Sequence, residues 1–326
     1  MGQNQSLALR ILRREYGNIF EKNWSPLTGG VLIGVMSVVT FAWARPWGVG
    51  GGIRNWGDWL FYWAGLYEVS PKSALTSKSS VLALGLLWGA LAAALLARQF
   101  AIRVPPRLEL FKGVAGGLFL GVGAALAGGC NVGGFYSSIA AFSLSGVAMM
   151  LGLLLGAYAG LKYLYWEMEH LAPQGGARHP SPPPGNSGRQ HWQPMAGAAL
   201  ILGAYCAKEI YALHGHLVSG GLLLCGIAFG FIMHRSRFCF ARCFREPFMT
   251  GEAAATQAVI VSLLICALGF GVIKWTGLRS EHAFTAPSFG LGGLAGGAIF
   301  GFGMLLAGGC GSGTIWRAAE GQVKLM

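Results

Sequence analysis

Gly116-Gly117-Leu118-Phe119-Leu120-Gly121-Val122-Gly123, closing on Leu126-Ala127-Gly128-Gly129-Cys130, returns as Gly296-Gly297-Ala298-Ile299-Phe300-Gly301-Phe302-Gly303, closing on Leu306-Ala307-Gly308-Gly309-Cys310. The second copy lies 180 residues after the first, with no gap inside it. A fainter echo joins Leu27-Thr28-Gly29-Gly30 to Leu217-Val218-Ser219-Gly220-Gly221, and an apolar run follows each. A duplication of this kind divides the chain into two related halves. In a membrane protein it points to transport, with the site at the interface between the halves.

Composition places the chain in a membrane. Of 326 residues, 54% are hydrophobic and only 11% charged, with a mean hydropathy of +0.53. A soluble domain carries about a quarter charged residues, so a soluble enzyme and a disordered chain are both excluded. Collagen is excluded because the 53 glycines have no Gly-X-Y period. The net charge of +12 reads first as topology, because Lys and Arg concentrate in cytoplasmic loops, and second as attraction of an anion. The basic residues sit between apolar runs rather than on one soluble face, which argues against a nucleic-acid partner. Seven cysteines, an odd number, lie in or beside apolar stretches, and no secretory signal precedes them, so a disulfide framework is a poor fit. No nucleotide-binding motif is present, so ATP is not the direct energy source.

Four segments follow. Residues 1–26 form an N-terminal segment whose run Leu7 to Phe20 reads as an amphipathic helix on the membrane surface. Residues 27–169 form a first membrane repeat, with apolar runs at Leu27 to Ala44, Val81 to Ala97, Gly113 to Ala127 and Ile139 to Tyr165. The Trp-rich stretch Trp47 to Tyr67 reads as interfacial or partly inserted. Arg98, Arg103, Arg107 and Lys112 read as a basic cytoplasmic loop. Residues 170–194, rich in Pro and Gly, form a linker. Residues 195–326 form the second repeat, with runs at Met195 to Leu213, Leu217 to His234, Ala253 to Lys274 and Gly290 to Ala307. His214 and His216 fall in an exposed loop.

An apolar helix that runs into Gly-Gly-Cys and then more small residues is expected to break there. In lipid, a broken helix is tolerated only where protein or a water-filled cavity satisfies its backbone. Half-helices meeting at such breaks aim N–H groups and positive dipole ends at one point, a cradle for an anion. The two copies are thus expected to bring the thiols of Cys130 and Cys310 face to face. Gly129, Gly309 and Gly311 supply backbone donors, and Asn131, Ser312 and Thr314 supply side-chain donors. A third constellation, His234-Arg235-Ser236-Arg237-Phe238-Cys239-Phe240-Ala241-Arg242-Cys243-Phe244-Arg245-Glu246, adds Cys239 among aromatics, with Arg237 beside it. Arg235 and Arg242 read as snorkelling side chains at a helix end. Arg317 and Glu320 are spaced to pair across one helical turn. Neither GGC has a nearby second metal ligand and CxxxC is a weak signal, so no metal or other cofactor is expected.

At these residues the sequence resembles the YeeE/YedE family of bacterial inner-membrane proteins. The resemblance rests on Leu126–Asn131, on Arg237-Phe238-Cys239-Phe240 continuing to Phe244-Arg245, and on Leu306–Cys310 continuing to Arg317-Ala318-Ala319-Glu320-Gly321, and it covers most of the chain from about Trp24. It implies an all-α polytopic membrane protein of two pseudo-symmetric repeats, with short broken or re-entrant helices meeting near the bilayer centre. It also implies a central path on which three thiols, matching Cys130, Cys239 and Cys310 here, relay thiosulfate by S–H hydrogen bonds. The order of halves looks more like the YedE branch, associated with selenium metabolism, than the YeeE branch, associated with thiosulfate uptake. Two departures stand out: Arg45-Pro46-Trp47-Gly48 occupies the place of the RFCF segment in the first half, and the second half has no counterpart of Ile139 to Tyr165. Because family members usually continue further, the resemblance implies a short or truncated form.

The function expected is uptake of a small sulfur or selenium anion through a lipid bilayer, without enzymatic turnover. A divalent oxyanion cannot enter hydrocarbon bare, since its desolvation costs on the order of tens of kcal/mol. A neutral S–H is a weak donor, able to hold a polarizable sulfur or selenium atom and release it. The rival reading is a membrane thiol oxidoreductase or sulfurtransferase that forms a persulfide on one of these cysteines. A cytoplasmic sulfur- or selenium-carrier protein docking on the basic loop is a further partner implied by the charge there.

Overall fold

The computed structural model describes residue 10 and residues 14–170, 192–279 and 290–325. The expected linker therefore lies mostly outside the described residues, as does the start of the amphipathic N-terminal segment, of which a π-helical turn (Gly17–Glu21) is described. The helices are α1 (Pro26–Trp43), α2 (Gly50–Trp63), α3 (Lys78–Leu96) and α4 (Arg107–Leu126). A π-helical turn (Asn131–Tyr136) then runs into α5 (Ser137–Ala140). They are followed by α6 (Leu144–His170), α7 (Trp192–Leu213), α8 (Leu217–Ser236), α9 (Phe240–Met249), α10 (Ala254–Trp275), α11 (Leu291–Ala307) and α12 (Gly311–Ala319). Among the described residues, eight helical stretches are long and apolar enough to cross a membrane.

Local chemistry accounts for the boundaries. Ser25 caps α1 by accepting the Thr28 N–H at 3.1 Å, and Pro26 occupies the first helical position, where a missing N–H is harmless. The run Ile139 to Tyr165 is divided: α5 ends at Ala140, Phe142 adopts a left-handed φ of 61°, and α6 starts two residues later. α7 takes up Trp192, Gln193 and Pro194, which the sequence assigned to the linker.

Helices of the two halves interleave. The most extensive contacts join α3 to α8, α11 to both α6 and α4, and α10 to α1, each pairing a helix before the linker with one after it. Small residues allow this. At Gly89 and Gly230, on facing turns of α3 and α8, a side chain would collide with the backbone of Ile227 and Leu86 respectively. Without a hydrophobic drive between helices in lipid, backbone-to-backbone approach is the main source of packing attraction.

Two expectations are corrected, for Lys112 and Arg235, and one is narrowed, for Trp47. Lys112 is not in a loop but buried on α4, where it pairs with Glu109 on its own helix and with Glu167 of α6 at 2.6 Å. A cation taken out of water must find carboxylates, and here two are in reach. Trp47, at the start of the stretch read as interfacial or partly inserted, is buried and stacks on Phe229 at 4.2 Å. Arg235 does not snorkel. It is 0% exposed and donates one N–H to the Lys22 carbonyl, beneath the segment whose Trp24 N–H returns a 2.8 Å bond to the Arg235 carbonyl. His214 and His216 are exposed, as the sequence suggests.

Candidate functional site

Each GGC ends a long helix. α4 stops at Leu126 and α11 at Ala307, and the glycine two residues before each cysteine, Gly128 or Gly308, turns left-handed, with φ of 70° and 81°. The chain then straightens at the cysteine, extended at ψ 174° for Cys130 and 173° for Cys310, and enters a new helical segment. The cysteine carbonyl takes the first bond of that segment in both copies: Cys130 accepts from the Gly134 N–H at 2.6 Å and Cys310 from the Thr314 N–H at 2.7 Å. The break expected from glycine is thus present twice.

Cys239 does the same without a glycine pair. α8 ends with Arg237 left-handed at φ 52°, Cys239 is extended at φ −154° and ψ 127°, and α9 starts at Phe240. All three cysteines therefore stand at the N-cap of a short helical segment. A helix start leaves the N–H groups of its first turn without an intrahelical acceptor and carries a partial positive charge. The three thiol residues are buried, at 5%, 2% and 0% exposure for Cys130, Cys239 and Cys310.

The thiols that meet are those of Cys239 and Cys310, with their sulfurs 3.5 Å apart. This corrects the expected pairing of Cys130 with Cys310. The physical reason lies in what faces each cysteine. The Cys310 sulfur also accepts the Gly313 N–H at 3.3 Å and lies 3.6 Å from the Ser312 hydroxyl. Gly313 is required there: a Cβ on it would sit 2.5 Å from the Cys239 sulfur and 3.1 Å from that of Cys310. Cys130 lies on the other side of Gly311, whose Cβ would be 3.8 Å from the Cys130 Cβ, and Gly50 approaches it from α2. The two GGC turns are neighbours, but backbone rather than sulfur lies between them.

An aromatic wall surrounds these caps. Phe240 packs at 5.4 Å on Tyr136 and at 5.2 Å on Phe238, and Trp47 stands edge-on to Tyr136 at 6.3 Å. Tyr136 is tied to Ser262 by a 2.7 Å hydroxyl contact. Several buried polar atoms here have no protein partner: both amide atoms of Asn131, the indole nitrogen of Trp47 and both ring nitrogens of His234. Buried polar groups are normally satisfied, so these atoms retain unused hydrogen-bonding capacity. Trp316 joins the two sides. Its N–H donates to the Phe238 carbonyl at 3.1 Å, and its ring meets His234 edge-on at 6.0 Å.

Of the other residues singled out by sequence, Ser312 and Asn131 are fully buried beside the caps. The Thr314 hydroxyl is engaged by the Gly311 carbonyl at 2.7 Å. Gly129 and Gly309 lie inside the turns, where they pack against Gly134 and Thr314. Arg237 does not point a free charge at the site; it binds Glu320 at 2.7 Å and Gln99 at 2.7 Å. The expected Arg317–Glu320 pair does not form. Glu320 is taken by Arg237 and by Arg103 at 3.3 Å, while Arg317 donates to the Gly308 carbonyl at 2.7 Å. One helical turn brings the two residues near each other, but the carboxylate is better served by two cations from outside the helix. Sequence reasoning gave no site role to Trp47, Tyr136, His234 or Gly313. Gly313 left a signal in the Gly-Ser-Gly after the second GGC, and His234 in opening the arginine-rich segment around Cys239. Among the described residues, no group of three or more His, Cys, Asp or Glu side chains converges as a metal would require.

The family model described as "Sulphur transport" matches residues 5–159 and 235–326. The probable transporter YedE of Salmonella typhimurium is 29% identical over 319 residues, covering 93% of this chain and 77% of that protein. The probable transporter YedE of Escherichia coli is 28% identical over 316 residues, with the same coverage. The thiosulfate transporter TsuA of Escherichia coli is 37% identical over 101 residues, 31% of this chain and 28% of that protein. No solved structure matches.

Proposed function

Because the chain belongs to the sulphur-transport family, we propose that it moves a small sulfur oxyanion, thiosulfate or a selenium analogue, inward across a bacterial inner membrane. The observation that carries this reading is that Cys130, Cys239 and Cys310 each cap a short helix in the buried interior, two of them in sulfur contact. Helix starts replace the water that a divalent anion must shed, and the thiols give it soft, weak donors. Hydrogen bonds to a charged group contribute about 1.5–3 kcal/mol each, so a few suffice for recognition while several weak stations still permit release. The relatives named as thiosulfate transporters support this choice of substrate.

We read the two halves as pseudo-symmetric repeats. The contact of α1 with α10 and that of α3 with α8 exchange when each helix is replaced by its counterpart in the other half, which supports that reading. A persulfide-forming enzyme has less support, because the relatives named for a function are transporters. Docking of a carrier protein rests on a reduced basic loop, with Lys112 buried and Arg103 engaged by Glu320, while Arg98 and Arg107 are exposed.

The test is uptake of labelled thiosulfate, with selenite as competitor, by cells lacking other sulfate-type importers. Transport that depends on the chain and is reduced by Cys→Ser at 130, 239 and 310 is expected. Full uptake in all three variants overturns the relay.

A further inference from the structure

The contact between Cys239 and Cys310 has a second chemistry. A disulfide needs its sulfurs at about 2.0 Å. These two stand 3.5 Å apart in the reduced state, and Gly313 keeps the space between them clear of any side chain. Each cysteine is fixed at the start of its own helix. Of the other cysteines, Cys206 is exposed, and Cys130, Cys225, Cys243 and Cys266 are buried; no sulfur–sulfur contact is seen among them in the described residues.

We propose that Cys239 and Cys310 form an oxidation-sensitive lock, in which a peroxide converts the dithiol to a disulfide that pins the starts of α9 and α12 together and closes the path. One thiol, as its thiolate, attacks the peroxide; the O–O bond breaks, a sulfenic acid forms and one water leaves. The second thiol attacks the sulfenic sulfur, the S–S bond forms and a second water leaves. Two thiols are oxidised by two electrons, the peroxide is reduced to two waters, and a dithiol reductant reverses the change. Peroxide is close to water in size, smaller than the anion proposed to pass. The blocking effect rests on the transport reading above, whereas the chemistry of the pair does not.

The experiment treats the purified full chain with hydrogen peroxide, denatures it, alkylates the remaining thiols and digests it for mass analysis. The expected product is a peptide pair joined through Cys239 and Cys310, absent after dithiothreitol. Both thiols remaining alkylatable, or Cys310 joined to another cysteine, overturns the proposal. In a parallel uptake assay, peroxide is expected to lower thiosulfate uptake at least about tenfold and dithiothreitol to restore it, with Cys243→Ser behaving as the wild type. A disulfide that forms and leaves uptake undiminished overturns the lock. A disulfide that forms in a protein that takes up no thiosulfate at any stage overturns the transport reading and leaves the redox-active pair standing.

Discussion

The two GGC turns carry the same pentapeptide and the same backbone path, yet different chemistry. At the second, Cys310 meets a second thiol, Gly313 makes room for both sulfurs, and the segment that follows is a regular α-helix ending on Glu320. At the first, Cys130 meets Gly50, the segment opens as a π-helical turn, and the buried Asn131 amide lacks a partner. Residues at matching positions make the contrast plain. Gly133, the counterpart of Gly313, has open space where a Cβ would go. Gly311 stands where the first copy has Asn131, and Glu320 stands where it has Ala140. A repeated motif thus dictates where a helix breaks; the segment packed across from it decides whether that break carries a thiol pair or a thiol with an amide.

The largest effect that follows from this contrast is on transport. Under the proposed transport role, Cys310→Ala removes a donor from the anion, and it leaves Cys239 without its partner. Losing a hydrogen bond worth about 1.5–3 kcal/mol predicts a roughly 10- to 150-fold fall in thiosulfate uptake. Cys130→Ala, with the Asn131 amide adjacent, is expected to fall toward the lower end of that range. Uptake rates of the two variants side by side check this, and equal losses would erase the functional difference between the copies. A more selective comparison substitutes the matched glycines. Gly313→Ala drives a methyl into the Cys239 sulfur, an overpacking that costs about 1–3 kcal/mol, and is expected to lower both the thermal midpoint in detergent and the uptake rate. Gly133→Ala meets nothing and is expected to leave both near wild type. If both alanines are tolerated, Gly313 is not the spacer between the thiols.

The helical fold was legible because long apolar runs have one solution in lipid, and each GGC announced a break through glycine. What was not legible came from contacts between distant segments. Nothing local in Cys239 says that it caps a helix, because its turn is made by a left-handed Arg237 rather than by glycine. The choice of Cys239 over Cys130 as partner of Cys310 depends on how α9 packs on α12. Trp47 has the composition of an interfacial residue, but it stacks on Phe229 from the other half of the chain. Lys112 and Arg235 looked like loop and snorkelling cations, and only tertiary structure shows the carboxylates that hold one and the N-terminal segment that covers the other.

The smallest effect concerns the ionic anchor that one copy has and the other lacks. Glu320 ends α12 almost fully buried and binds Arg103 and Arg237, while Ala140 ends α5 with no charge. Its backbone also holds the loop before α4, since the Ala101 N–H donates to the Glu320 carbonyl at 3.2 Å and the Arg103 N–H to that of Gly321 at 2.8 Å. Glu320→Gln keeps the shape and removes the charge. Breaking a fully buried pair costs about 3–5 kcal/mol, but Arg237 is 27% and Arg103 42% exposed, so solvent screens much of the loss and about 1 kcal/mol is expected. Arg237 shapes the turn that presents Cys239, so loosening it makes the thiol pair less rigid without removing either sulfur. The expected outcome is a slightly lower thermal midpoint in detergent and an uptake rate reduced by less than about threefold. A loss as deep as that of Cys310→Ala would mean that Glu320 governs passage directly, and that the difference between the copies lies in charge as much as in sulfur.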